Sequence, residues 1–557
     1  MAVLPENMTR PEAGSASAWP MISAIFLGLV GLVLLVTCVN VTNLLLARAS
    51  ARAKEIAIRA ALGAGRVRLF RQLLTESILL SGLGGLGGAA LGVWLMKLME
   101  QIRLPGDFPI RASIPMDWRV FLFVGLIAVA CGLFAGIVPA WRATRMDLNE
   151  TLRDGGRSNT GGADHNRVRS FLVMAQAAGS LVVLIMAGLF MRSLQRTEKM
   201  ELGFEPGHVL NLTMDVKELG YDEKRSSTFY RQLGERVRGI PGVESASFAT
   251  SAPFGYSTTW DAVWKQGQEG VLESQVPRLP HNQVSQDYFR TMGIEIVRGR
   301  PIGEQDQSAS QRVAVVNETL ARKLWPGEDP IGHHFRHGSA SAPPMEVVGV
   351  AKDSKYIWIA EDQRAYFYVP LSQEFSGVQV LQVRTLLPPA MVARPIESEV
   401  RALDANLPVF DVMSMDEALG SGNGYFFFRL AAVFAGVLGG LSLLLAITGV
   451  YGVVSYGVNQ RTHEIGIRMA LGAQQPKILG MVVSQGLRLV LIGLAIGVAT
   501  SAGLARLLSD FLVNTSTIDP VAYAVASLLL VAVAALACYL PARRAMRVDP
   551  LVALRYE

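Results

Sequence analysis

Three histidines, His333, His334 and His337, lie almost side by side and form the only histidine cluster in the chain. Zinc accepts imidazole nitrogen, but it asks for further ligands at regular spacing. Here the neighbours are Gly332 and Gly338, in a turn-like stretch with no carboxylate or cysteine at ligand spacing. No metal site is expected. Gly82-Leu83-Gly84-Gly85-Leu86-Gly87 matches the dinucleotide pattern G-x-G-x-x-G, which cradles phosphate only between a strand and a helix, with an acidic residue beyond. It sits inside an apolar run that has neither, so no cofactor is expected. The phosphate loop G-x-x-x-x-G-K-[ST] occurs nowhere, and by that route the chain hydrolyses no nucleotide. Ion coupling would place ionisable groups deep in the apolar runs. Glu76 and Arg488 fall near run ends that reach water, which argues against a secondary transporter.

What remains is a repeated charged segment. Arg52-Ala53-Lys54-Glu55-Ile56-Ala57-Ile58-Arg59-Ala60-Ala61-Leu62-Gly63-Ala64 returns as Arg461-Thr462-His463-Glu464-Ile465-Gly466-Ile467-Arg468-Met469-Ala470-Leu471-Gly472-Ala473. Glu55 and Arg59, like Glu464 and Arg468, share a helix face at four-residue spacing, while Ile58 and Leu62 line another. Gly63 and Gly472 are placed to close that helix, and Pro476 suits the first turn of the next. Such an amphipathic elbow could be gripped by a partner. Setting topology alone does not require the same motif twice.

A second echo supports duplication: Pro139-Ala140-Trp141-Arg142-Ala143 returns as Pro541-Ala542-Arg543-Arg544-Ala545, in the same order and at nearly the same offset. Repeats of this kind mark duplicated modules.

The elements that must carry the elbows are membrane spans. The 557 residues are 50% hydrophobic and 18% charged, with a mean hydropathy of +0.32, which predicts both membrane and water-exposed parts. Runs long enough to cross, at roughly 20 residues of helix each, fall near Met21 to Leu46, Leu73 to Met96, Val120 to Val138, Phe171 to Met191, Leu430 to Val458, Leu489 to Leu508 and Ala522 to Leu540. Gly84, Gly88 and Gly92, and likewise Gly493 and Gly497, have the four-residue spacing of close helix packing in lipid. Cys38, Cys131 and Cys538 all lie within spans and read as small packing residues.

Basic residues orient the spans, because they stay on the cytoplasmic side. Arg48, Arg52, Lys54, Arg59, Arg66, Arg68 and Arg71 crowd the first loop, and Arg142, Arg145, Arg153, Arg157, Arg167 and Arg169 the third. Both elbows and the tail with Arg543, Arg544, Arg547 and Arg555 then lie inside. Met1 to Pro20 and the stretch from Arg192 to Phe428 lie outside. The net charge of +6 is thereby spent on orientation, and no nucleic-acid partner is expected. Nothing before Pro20 resembles a cleaved signal. If the modules were built alike, an earlier span and an outside domain are expected upstream of Met1.

The outside stretch alternates in Leu210 to Val216 and Val378 to Val380, which suit half-buried strands. Short β-rich runs follow at Val313 to Val316, Val347 to Val350 and Tyr366 to Val369. Tyr230, Leu233 and Val237 share one face of a helix closed by Gly239, Pro241 and Gly242. A mixed α/β domain with its own core, and room for two lobes, is predicted.

At this point the chain resembles the MacB/FtsX-like permeases, most closely the duplicated orphan permeases first noted in acidobacteria. The resemblance rests on both elbows, on Pro541-Ala542-Arg543-Arg544-Ala545, on the ending Asp549-Pro550 with Ala553-Leu554-Arg555-Tyr556-Glu557, and, in the outer segment, on Tyr288-Phe289, Met292-Gly293-Ile294, Gly299-Arg300, Val315-Val316-Asn317, Trp325-Pro326-Gly327 and Val347-Val348-Gly349-Val350. It implies an α-helical transmembrane bundle of about seven spans in two FtsX-like modules, with one mixed α/β periplasmic domain of MacB-core type.

The expected divisions are a short outer segment 1–20, a first module 21–156, a linker and fourth span 157–192, a MacB-like core 193–428 and a second module 429–557. The resemblance further implies a non-enzymatic inner-membrane permease, with ATP bound on a separate cytoplasmic ABC ATPase that meets the elbows through Glu55, Arg59, Leu62, Gly63, Glu464, Arg468, Leu471 and Gly472. Membrane lipids surround it, and a homodimer or a periplasmic protein is a further partner to test. Efflux or export is the expected task. The alternative from another class is a non-transporting envelope regulator or sensor of FtsX type.

Overall fold

The computed structural model describes residues 13–52, 64–99, 117–143, 162–255, 258–460, 474–507 and 515–546, together with Glu55, Ile56, Ile58, Arg59, Leu62, Ile465, Ile467 to Met469 and Leu471. Four long helices come first: α1 (Ala13–Ala51), α2 (Arg66–Met99), α3 (Trp118–Ala143) and α4 (Gly162–Glu198). The outer segment supplies the shorter α5 (Glu223–Arg238), α6 (Tyr288–Met292), α7 (Glu318–Leu324), α8 (Pro389–Leu403) and α9 (Met415–Leu419). Three long helices close the chain, α10 (Phe426–Gln460), α11 (Gln475–Leu507) and α12 (Pro520–Ala545). The seven long helices are the seven spans expected, each apolar and long enough to cross a membrane. The chain divides into two compact units, a helical one and one built mainly from Thr197–Arg429.

In the helical unit α4 is the central post. Leu181, Ile185 and Leu189 are fully buried, in one core with Leu29 of α1, Ala446 of α10, Val490 of α11 and Leu530 of α12. Small residues allow that approach. A Cβ at Gly493 would come within 2.6 Å of the Met174 carbonyl oxygen, and one at Gly497 within 3.0 Å of that of Ala178. Polar groups tie the helices where water is absent: Asn40 donates to Thr448 Oγ1 at 2.9 Å, and Ser180 to the Ser442 carbonyl at 3.2 Å. Such bonds substitute for hydration that lipid cannot supply.

The hairpin of α2 and α3 uses a different glycine row from the one the spacing picks out. A Cβ at Gly84, Gly88 or Gly92 would meet nothing within 4 Å. The close approach runs through Gly85 against Ala128 at 2.8 Å, Gly132 against Ser81 at 2.9 Å and Gly136 against Ser77 at 2.7 Å. Ser77, Ser81 and Gly85 form the contact row of α2. One residue of offset turns a row by about 100° around a helix, which points Gly84, Gly88 and Gly92 away from α3.

The second unit is mixed α/β, with strands β1 (Val209–Asp215), β2 (Val243–Ala249), β3 (Thr259–Lys265), β4 (Arg278–Val284), β5 (Ile296–Gly299), β6 (Val313–Asn317), β7 (His334–His337), β8 (Met345–Ala351), β9 (Phe367–Pro370), β10 (Val378–Thr385) and β11 (Val409–Ser414). Four of the eleven strands form the antiparallel series β11-β1-β10-β2. Its core joins Leu212 and Leu381 to Leu233 and Val237 of α5 and Ile396 and Val400 of α8. Asp222 starts α5 by accepting from the Arg225 N–H, and the apolar residues recur at helical spacing after it.

One pair, Ala249 with Val284, links β2 to β4. From β4 the order continues β3-β7-β8-β6-β9, and β9 returns to pair with β4 in parallel. Six strands therefore close into a ring, and β5 pairs with β8 outside it. Inside it Val263, Phe335, Val347 and Phe367 pack with Leu320 of α7 and Trp325. The two halves share one connected sheet of eleven strands.

Candidate functional site

Around the first elbow a short helical turn follows α1. The Ile56 N–H donates to the Arg52 carbonyl at 3.0 Å, and that of Leu62 to the Ile58 carbonyl at 3.0 Å. Glu55 and Arg59 form the expected ion pair at 2.6 Å, while Arg48 and Arg52 reach Glu76 of α2 at 3.5 and 3.4 Å. Glu76 is thus paired at the span end. Ile56 is buried against Leu69, yet Leu62 is 83% exposed.

The second elbow repeats this division of labour. Ile465 is buried with Val458 and Ile478, the Leu471 N–H donates to the Ile467 carbonyl at 3.0 Å, and Leu471 is 82% exposed. Arg468 is exposed and donates to the Met481 sulfur. Gly63, Glu464 and Gly472 lie outside the described residues. In both copies the isoleucine anchors the turn and the leucine stands out. A single exposed leucine is ordinary, but these two stand at matched positions of the two modules. The second repeated motif is matched in the same way: Pro139 and Pro541 lie within α3 and α12, and Ala140 and Ala542 after them are both fully buried.

Asp519, which sequence reasoning passed over, is 1% exposed and receives Arg196 at 2.8 Å and Arg192 at 3.4 Å. It also caps α12 by accepting from the Val521 and Ala522 N–H groups. One carboxylate thereby fixes the end of α4 to the start of α12. Asp-Pro ahead of an apolar run was the available signal.

A second constellation was also missed. The three neighbouring histidines separate: His333 stacks on Trp325 and reaches Glu328 at 3.5 Å, His334 opens β7, and His337 meets two carboxylates. Its Nδ1 lies 2.9 Å from Asp261 Oδ2 and its Nε2 2.7 Å from Glu374 Oε1. His281 Nε2 is 3.8 Å from the same Asp261 oxygen. Sheet register explains the convergence. Thr259 pairs with His281 and Val263 with His337, so Asp261, midway between them on β3, shares their face of the sheet.

Burial, with some repulsion from His337, pushes His281 down to about 4. Burial also acts against a charge on His337, but hydrogen bonds to Asp261 and Glu374 outweigh it and lift the ring to about 9. The bond to His337 lowers Asp261. No pair of these residues is close in sequence, so local spacing could not reveal them.

Comparison with known proteins follows the same division. The family model described as the FtsX-like permease C-terminal region matches residues 27–148 and 436–550, and the MacB-like periplasmic core domain matches 170–403. The uncharacterized ABC transporter permease YknZ of Bacillus subtilis (strain 168) is 26% identical over 59% of this chain and 80% of its own length. The macrolide export ATP-binding/permease protein MacB of Hahella chejuensis (strain KCTC 2396) is 30% identical over 50% of this chain and 43% of its own length. The chain therefore spans less than half of that relative. The crystal structure of the periplasmic region of MacB from Actinobacillus actinomycetemcomitans is 13% identical, covering 38% of this chain and 91% of that one at a TM-score of 0.28. With two FtsX-like modules flanking a MacB-like periplasmic core, the chain belongs to the MacB/FtsX-like ABC transporter permeases.

Proposed function

We propose that this chain is the inner-membrane permease subunit of an ABC-type transport or mechanotransmission system, driven by ATP hydrolysis on a separate ATPase. The observation that carries the reading is the pair of elbows, each with a buried isoleucine and an exposed leucine at the same place in its module. Arg59 and Arg468 flank those leucines. Two matched apolar knobs rimmed by charge suit two copies of one ATPase subunit, because a central apolar anchor supplies affinity and charge sets register.

ATP-driven approach of the two ATPase subunits would push the elbows, and the helices entering and leaving the outer domain would carry that push outward as a hinge-like change. Export or efflux is the task we propose for it. The basic loops support elbows on the cytoplasmic side and the N-terminal segment outside.

The test is co-purification with the cognate ATPase subunit and measurement of ATP turnover. Leu62→Asp with Leu471→Asp should lower association at least about tenfold, as expected for loss of a buried anchor at each contact. Glu464→Ala with Arg468→Ala should weaken it less. Unchanged association in the double-leucine variant removes the elbow assignment.

A further inference from the structure

We propose that Asp261, His281 and His337 form a binding site for a single divalent transition-metal ion of the zinc type, with Glu374 as the carboxylate that orients His337. Nothing in the permease assignment calls for such a site. The three side chains come from three adjacent strands, β4, β3 and β7, and each offers a ligand atom within 4.8 Å of the others. A tetrahedral ion with bonds of about 2.0–2.1 Å holds neighbouring ligand atoms about 3.3 Å apart. The present separations of 2.9 Å and 3.8 Å from Asp261 Oδ2 bracket that value. The third separation, between the two imidazoles, is bounded only by 4.8 Å, so closing on an ion asks for a side-chain shift of up to about 1.5 Å there.

The surroundings are those of a built site. His281 is 1% exposed, and its Nε2 is the nitrogen that faces Asp261. Its ring stacks on Phe367 at 4.8 Å, and that of His337 meets the same phenyl edge-on at 5.4 Å. Both imidazoles are therefore held by a rigid apolar wall. Glu374 grips the far nitrogen of His337, the carboxylate–histidine–metal arrangement that fixes the tautomer of a ligating ring. Asp261 remains 30% exposed, which leaves a route for the ion and a position for water.

Arg312 lies 3.6 Å from Glu374, and Arg278 acts on Asp261. These cations oppose an ion that relies on several carboxylates, such as Ca²⁺ or Mg²⁺, and favour one that binds imidazole. On binding, the proton between His337 Nδ1 and Asp261 leaves to water, and the Nε2–H stays on His337, donated to Glu374.

The competing arrangement is a metal-free one, in which protonated His337 bridges two carboxylates. To separate the two, the full chain in detergent is stripped with a chelator and titrated with Zn²⁺ alone against a chromophoric competitor. The expected result is one equivalent of Zn²⁺, not displaced by excess Mg²⁺ or Ca²⁺. His281→Ala and Asp261→Ala should each weaken binding at least about a hundredfold and Glu374→Gln about tenfold, in line with loss of a ligand or of its orienting partner. His333→Ala with His334→Ala should change nothing. Because a ligand variant could misfold, Co²⁺ added to the unaltered chain gives a second readout, the intense visible bands of a four-coordinate ion. Absence of stoichiometric Zn²⁺ and of those bands, or binding indifferent to His281 and Asp261, overturns the proposal.

Discussion

Single side chains in the outer domain do most of their work as fixed charges. Arg300 forks onto Asp306 at 2.7 and 2.8 Å, and the Gly303 N–H donates to the same carboxylate. Asp306 is 3% exposed. Burial pushes its carboxyl up, but the guanidinium and the Gly303 N–H outweigh burial and hold it below the ordinary carboxylate value. A carboxyl depressed in the folded state stabilises above its unfolded value of about 3.9 and loses that contribution as pH falls through the folded value. Asp306→Asn should therefore cost about 2 kcal/mol at pH 7, the range for hydrogen bonds to charged groups. In thermal unfolding of the full chain, the gap to the parent should be full at neutral pH and shrink once the pH drops below the carboxylate range. An equal gap at both ends would show that shape, not charge, is what Asp306 supplies.

At the scale of the element, glycine rows decide which helix faces meet. Gly493 and Gly88 look alike in sequence, each in a four-residue series within an apolar run, but only Gly493 faces another backbone. Gly493→Val should drive a methyl group into the Met174 carbonyl and cost about 1–3 kcal/mol by overpacking. Gly88→Ala should stay within about 0.5 kcal/mol, as at a site without neighbours. Comparing the thermal transitions of both variants in detergent checks this, and equal losses would sink the contact assignment.

The same contrast shows how far sequence reasoning reaches. Spans and strands were legible because hydropathy and alternation are local: the runs at 313–316, 347–350 and 366–369 become β6, β8 and β9. The anchors Ile56 and Ile465 were not foreseen, since helical spacing alone does not say which face has a partner. The cluster at Asp261, His281, His337 and Glu374 was invisible for a stronger reason, because only the register of β3 with β4 and β7 brings it together. Gly84, Gly88 and Gly92 illustrate a subtler failure, in which the spacing was right for packing and the phase was off by one residue.

For the whole molecule, function turns on which side of the membrane each part occupies. Seven spans place the two elbows on one side, since an even number of crossings, four, separates the ends of α1 and α10 when α2, α3, α4 and α10 are followed in order with the outer domain between α4 and α10. That is two crossings by α2 and α3 and two by α4 and α10, each pair returning to the starting side. On the proposed topology the basic loops set that side as cytoplasmic, with the stretch between α4 and α10 outside. The inference can be tested on a background with Cys38, Cys131 and Cys538 replaced by alanine, carrying Leu62→Cys, Leu471→Cys or Ser308→Cys. All three positions are exposed. An impermeant maleimide applied to spheroplasts should label Cys at 308 and spare those at 62 and 471, and permeabilisation should make all three reactive. Labelling at 62 or 471 before permeabilisation would place an elbow outside, where no ATPase could reach it, and coupling through the elbows would have to be abandoned even though the fold stood unchanged.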